Sequence, residues 1–271
     1  MSDRLPRRIV CLTEETCETL YLLGEQDRIV GISGFTVRPA RARREKPRVA
    51  AFTSAKLDRI LALEPDLVLG FSDLQADIAA ALIRAGLAVH VFNQRTVAGI
   101  LAMIETLGAL VGVPARAAAL VGELEAGMAA VARAAAQAVA RLPRRPRVYF
   151  EEWDEPLISG IGWVSELITL AGGEDCFPEL AGRAAARERV IAAPAEVVRR
   201  EPDLIIGSWC GKRFRPQALA ERPGWDAIPA LRHGQVFEIK SCDILQPGPA
   251  ALTDGLAQLH ARIAACAALP P

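Results

Sequence analysis

Leu57 to Gly70 reads LDRILALEPDLVLG, and Pro194 to Gly207 reads PAEVVRREPDLIIG. Each stretch passes from apolar residues at helical spacing, through Glu-Pro-Asp, into a run of aliphatic residues with strand character. Proline makes the break: it has no N–H to continue a helix and disfavours helical geometry at the glutamate before it. A helix is thereby delivered through a tight turn into a buried strand, the repeating step of an α/β protein. A second pair agrees: LLGEQDRIVG at 22–31 resembles LAGGEDCF at 170–177, with glycines following a helix as C-caps. One plan used twice implies two lobes.

Working outward, short β-branched runs alternate with Ala/Leu-rich stretches. In the first part strands are expected at 8–10, 28–31, 48–50, 67–69 and 89–92, with helices near 14–24, 56–63 and 74–85. The last part repeats the scheme with strands at 147–150, 204–206 and 235–238 and helices near 163–172 and 194–200. Between them an Ala-rich segment is broken only at Gly112-Val113-Pro114. From 115 to 141 nothing interrupts it, and at about 1.5 Å per residue such a helix spans roughly 40 Å, a stiff strut between lobes. The expected architecture is two Rossmann-like lobes with parallel sheets, 1–95 and 143–271, joined by a helical linker over 96–142. An all-helical bundle is the structural alternative.

The 271 residues are 51% apolar and carry 32 basic against 32 acidic side chains, which excludes dominant disorder. Zero net charge leaves no basic excess to replace phosphate counterions, so nucleic acid is not an expected partner. No stretch approaches the ~20 apolar residues of a membrane span. The six cysteines form no CxxC pair and His90, His233 and His260 lie far apart, so spacing gives no metal site. Nucleotide fingerprints are missing too: Ile158-Ser159-Gly160-Ile161-Gly162 leads into a helix but lacks the GxGxxG and GxxxxGK[ST] arrangements.

Ligands of parallel α/β sheets sit at the carboxyl ends of strands. There the first lobe offers Phe35, Phe52 and Phe71, and the second offers Glu151, Glu152, Trp153 and Asp154, then Ser208, Trp209 and Cys210, then Lys240 to Gln246. Trp163 begins a helix at the same edge, and Trp225 is expected to pack a turn. Aromatics are only 5% of the chain, so their concentration there points to a cleft for a bulky, partly apolar molecule. The neighbours Glu151 and Glu152 also admit a second class of function, a hydrolase or transferase using them as acid and base.

These segments resemble the helical-backbone (class III) substrate-binding proteins of ABC importers, which carry cobalamin and iron-siderophores, and most nearly the cobalamin-binding branch. The resemblance rests on RIVCLTEETCETLYLLGEQDRIVGIS, KPRVAAFTSAKLDRILALEPDLVLG, VYFEEWDEPLISGIGWVSELITLAGGEDCF, EPDLIIGSWCGK and FEIKSCDILQPGPAALTDGL. It implies non-catalytic binding of a cobalamin-like corrinoid between the lobes, as ligand and with no cofactor, by a monomer. It places family aromatics on Phe35, Phe52 and Phe71 and carries over Trp153, Trp209 and the loop from Lys240 to Gln246; Glu152, Ser208 and Lys240 could meet the ligand's amides, and Trp163, from its place at the helix start, completes the candidate ligand-binding residues. An iron-siderophore or haem is the alternative ligand. The resemblance also implies an importer permease as partner, met by an acid on each lobe: Asp73 or Asp77 serves on the first, whereas Lys212-Arg213-Phe214-Arg215 makes the matching face of the second basic. Without a leader before Met1 the chain is expected in the cytoplasm, and in the periplasm if its start lies upstream.

Overall fold

The computed structural model describes residues 5–269. Met1–Arg4 and Pro270–Pro271, which the expected lobes include, lie outside the described residues. The chain divides into two compact units, one of Met1–Gln94 and Ala98–Leu124, the other of Arg95–Val97 and Glu125–Pro271. The division falls inside the long helix, not at its two ends.

In the first unit the order is β1 (Ile9–Cys11), α1 (Glu14–Leu22), β2 (Ile29–Ser33), α2 (Ala42–Glu45), β3 (Arg48–Ala50), α3 (Leu57–Leu61), β4 (Leu67–Phe71), α4 (Ala76–Arg84) and β5 (Val89–Phe92), followed by α5 (Val97–Leu110). The sheet runs β3-β2-β1-β4-β5, every ladder parallel. Strand order reverses at β1, which makes the carboxyl ends of β1 and β4 the switch point where such sheets take ligands. The helix α6 (Pro114–Val139) has 26 residues, about 39 Å. Its packing on α5 demands a small residue, since a Cβ on Gly108 would stand 2.3 Å from that of Ala117.

The second unit holds β6 (Arg147–Asp154), β7 (Leu157–Ser159), α7 (Gly162–Leu170), β8 (Glu174–Asp175), α8 (Pro178–Ala181), α9 (Ala195–Arg200), β9 (Leu204–Gly207), α10 (Pro216–Ala220), α11 (Pro229–Arg232), β10 (Val236–Glu238), α12 (Ser241–Ile244) and α13 (Leu256–Ala267). Its sheet runs β10-β9-β6-β7, with β8 also on β6. These ladders are parallel except β6–β7, an antiparallel hairpin pairing Glu151 with Ser159 and Asp154 with Leu157. The strand expected to stop at residue 150 therefore continues to Asp154, because β7 gives its outer edge a partner. Ten strands among the described residues rule out the helical bundle.

The repeated Glu-Pro-Asp turn is the same in both units. Glu64 and Glu201 each take φ = 45°, in the left-handed region, Glu64 in the turn after α3 and Glu201 as the cap of α9. Asp66 then accepts hydrogen bonds from Arg7 N (2.7 Å) and Arg8 N (3.0 Å), and Asp203 accepts from Arg147 N (2.7 Å). In return Asp66 N donates to Arg8 O and Asp203 N to Arg147 O, both at 2.9 Å. The arginines at those strand starts complete the knot: Arg8 donates to the carbonyls of Leu63 and Glu64, and Arg147 to that of Arg200 (2.9 Å). The carbonyls just beyond α3 and the last one of α9, which have no helical partner, are thereby satisfied.

Each unit encloses its own core, Val10, Leu12, Val49, Ile60, Val68 and Leu82 in the first, and Tyr149, Ile205, Trp209, Phe214, Trp225 and Ile228 among others in the second. Asp203→Ala should lower unfolding free energy by about 1–3 kcal/mol, since it orphans the Arg147 N–H and also removes the Arg144 pair at 2.5 Å. Urea denaturation of that variant against wild type measures this.

Candidate functional site

At the rim of the first unit Gln75 links three strand ends. Its Oε1 accepts from Phe71 N (2.9 Å), while its Nε2 donates to the carbonyls of Phe52 (2.9 Å) and Leu12 (3.5 Å). Nothing in the sequence pattern singled out this buried glutamine. Phe35 follows β2 and is 61% exposed, and Phe52 after β3 is half-buried. Phe71 differs from the expectation: it is the last residue of β4, lies in register with Phe92, and is buried as a plug of the sheet end. An exposed aliphatic group that sequence reading missed, Leu74, stands in the turn just beyond it.

The same rim holds two buried acids. Glu14 and Glu15 begin α1 directly after β1. Glu14 Oε2 accepts from Val37 N (2.5 Å) and Glu15 Oε1 from the Thr13 hydroxyl (2.5 Å). Glu14 Oε1, Glu15 Oε2 and the hydroxyl of the fully buried Thr36 make no hydrogen bond among the described residues. Burial without a facing cation raises the Glu14 carboxyl to about 8 and that of Glu15 to about 7, with Glu18 adding to both.

In the second unit the acidic run is organised by arginines. Glu151 is fully buried at the centre of the sheet. It receives Arg222 Nη1 (2.5 Å) and Nη2 (3.0 Å), Trp209 Nε1 (3.1 Å) and the Tyr149 hydroxyl (3.0 Å). Glu152 is clamped by the buried Arg189 through bonds of 2.6 and 2.9 Å. Both carboxylates are thus spent on guanidinium forks, which removes the acid–base pair that a hydrolase or transferase would need. The same pairing corrects Glu152 as a group open to ligand.

Three further expected contacts lie in the interior. Trp209 is buried, packed edge-on to Phe214 at 5.0 Å, its indole N–H given to Glu151. Trp163 is buried with its N–H on the Ile244 carbonyl at 2.8 Å. Ser208 is buried too, its N–H on Glu151 O (2.9 Å) and its hydroxyl without a partner among the described residues. Each follows a strand or opens a helix as read, but Glu151 and Phe214 hold Trp209 in the interior and the Ile244 carbonyl holds Trp163 there. Trp225, expected in a turn, is fully buried, 6.0 Å edge-on to Tyr149.

More open are Trp153, half-buried with its N–H on Glu155 O (2.9 Å), the half-buried Gln246 and the exposed Lys240, paired with Glu238 at 2.7 Å. Lys212 crosses the two indoles, 5.3 Å from the Trp153 ring and 4.9 Å from that of Trp209, and is held by Asp154 at 2.6 Å. Two hollows of about 200 and 310 Å³ in this unit lie instead around Arg145 and Thr169, the first lined by α6 and α7 and the second by α7 and β8. Among the described residues no group of three or more His, Cys, Asp or Glu could hold a metal ion.

Two mostly parallel sheets with polar and aromatic rims, a helix running from the first unit into the second, and acids already spent on arginines define a two-lobed α/β binding protein. Residues 9–242 match the periplasmic binding protein family, and the chain belongs to it. It is, with that family, a non-catalytic solute-binding protein. The cobalamin-binding protein of Halobacterium salinarum is 26% identical over 252 residues, covering 91% of this chain and 67% of that protein. Among solved structures, the periplasmic vitamin B12 binding protein BtuF of Vibrio cholerae superposes with a TM-score of 0.75 at 21% identity, covering 97% and 99% of the two chains. A periplasmic heme binding protein from Pseudomonas aeruginosa gives 0.79 at 23% identity, covering 95% and 92%.

The Glu14–Glu15 pair makes stability depend on pH. Because the fold holds both carboxyls above the ordinary value of 4.5, the native state binds more protons than the unfolded chain. Their contribution therefore falls as pH rises from about 5 to about 8 and is flat above. Denaturant titrations across that range should show the decline in wild type and a shallower one in Glu14→Gln/Glu15→Gln.

Proposed function

We propose that this protein binds a cobalamin-like corrinoid as a ligand, unchanged by the encounter, for delivery to an importer permease. The likeness to the cobalamin-binding protein of Halobacterium salinarum, sustained along most of the chain, carries this reading. The rims support it. Phe35 and Phe52 of the first unit and Trp153 of the second are flat apolar groups left exposed or half-buried, suited to the faces and edges of a macrocycle. Lys240 and Gln246 are polar groups of the kind that the ligand's amide rim requires, since each amide buried unpaired costs about 1–3 kcal/mol. For permease docking, Asp73, in the turn before α4, and Asp77, in its first turn, are both exposed.

A haem would ordinarily call on a tyrosine or histidine as axial ligand. Here the Tyr149 hydroxyl is buried on Glu151 and that of Tyr21 donates to Glu45 at 2.7 Å. The corrinoid reading needs neither.

Equilibrium dialysis against cyanocobalamin, haem and a ferric hydroxamate, read by visible absorbance, tests the ligand class. Retention of cyanocobalamin is expected; retention of either iron chelate without cyanocobalamin would overturn the reading. Trp153→Ala should weaken cobalamin binding at least tenfold, about 1.4 kcal/mol, and unchanged affinity would remove that ring from the site.

A further inference from the structure

The acids at the start of α1 call for an explanation that the fold does not supply. Two carboxylates next to each other in sequence, both buried, each spend one oxygen on a protein donor and keep the other without one. Thr36, beside the Val37 N–H that binds Glu14, adds a third unpartnered buried oxygen. An orphaned buried acceptor is costly, so each such group asks for a partner. The charged and titratable neighbours do not provide one. Glu18 is itself paired with Arg38 at 2.9 Å, the thiols of Cys11 and Cys17 are buried and raised by that burial, and Lys46 acts on those thiols. The location is the carboxyl end of β1, at the switch point of the sheet.

We propose that Glu14, Glu15 and Thr36 form an acceptor subsite for N–H donors of a ligand. The chemistry is a set of oxygens with no donor of their own except the threonine hydroxyl, matched by an ammonium or a primary amide. A hard metal ion would need more ligands than the described residues gather. Arrival of N–H donors favours the ionised carboxylates, which accept better than carboxyls, so binding expels a proton to solvent and affinity rises with pH. The amide form of this inference rests on the corrinoid reading, whose ligand carries primary amides at its rim; the ammonium form does not.

Calorimetry with cyanocobalamin at pH 6.5 and 8.5, in buffers of different ionisation enthalpy, counts the protons. The expected result is release of protons on binding and roughly tenfold tighter binding at the higher pH. Both effects should be reduced in Glu14→Gln and in Glu15→Gln and lost in the double variant. The second arm uses 1,4-diaminobutane and thermal shift at pH 8.5, where stabilisation of wild type and none of either variant is expected if the donor is an ammonium. Failure of cobalamin to bind while the diamine still stabilises sinks the corrinoid reading and leaves the subsite standing. Cobalamin binding without proton release, together with equal response of wild type and variants to the diamine, overturns the subsite. Should both variants misfold, the proton count on wild type decides alone.

Discussion

The hydrogen bonds between an aspartate after a proline-broken helix and the start of the neighbouring strand fix the geometry of both units. Asp66 and Asp203 do the same work: each receives the backbone N–H that opens the central strand and returns its own N–H to a carbonyl there. That pins β4 against β1 and β9 against β6 at their amino ends, and the register of everything downstream follows. With the register set, the carboxyl ends of the five strands in the first unit, and those of β6, β9 and β10 in the second, align at one rim per unit. The cost is a glutamate in the left-handed region at both turns, Glu64 and Glu201, in a conformation that L residues adopt at a penalty of about 1–2 kcal/mol. Proline at the next position and two returned hydrogen bonds offset it.

This motif is why the fold was legible. Helix spacing, Glu-Pro-Asp and an aliphatic run are local signals, and their physical causes lie within a dozen residues. The long helix was equally local, an unbroken alanine-rich stretch after Pro114. What escaped was pairing between segments. Nothing inside Glu151–Asp154 announces that Leu157–Ser159 will fold back on it, so a strand was read as a loop and its side chains as open to solvent.

The site was legible as a location and only partly as a set of residues. Strand ends predict where a rim lies; they do not predict which rim side chains are claimed by distant partners. Arg222 lies 71 positions from Glu151 and Arg189 lies 37 from Glu152, and no spacing rule links them. Without those arginines Glu151 would be an unpaired buried charge, a state that costs several kcal/mol. Its pairing also fixes Trp209 and Tyr149, whose N–H and O–H close the remaining positions around the carboxylate. One buried acid thus withdraws an indole that sequence reasoning had assigned to the ligand.

The two acidic clusters show how the same residue type serves opposite ends. Glu151 is fully buried and satisfied four times over, so it acts as part of the core. Glu14 and Glu15 are nearly as buried, but each leaves one oxygen without a hydrogen bond among the described residues. Had stability alone shaped this rim, an isosteric amide or an added arginine would relieve the strain that lifts both carboxyls toward neutral pH. The chain keeps the acids where α/β sheets receive their ligands, and a group bringing its own N–H donors would settle both deficits in one step.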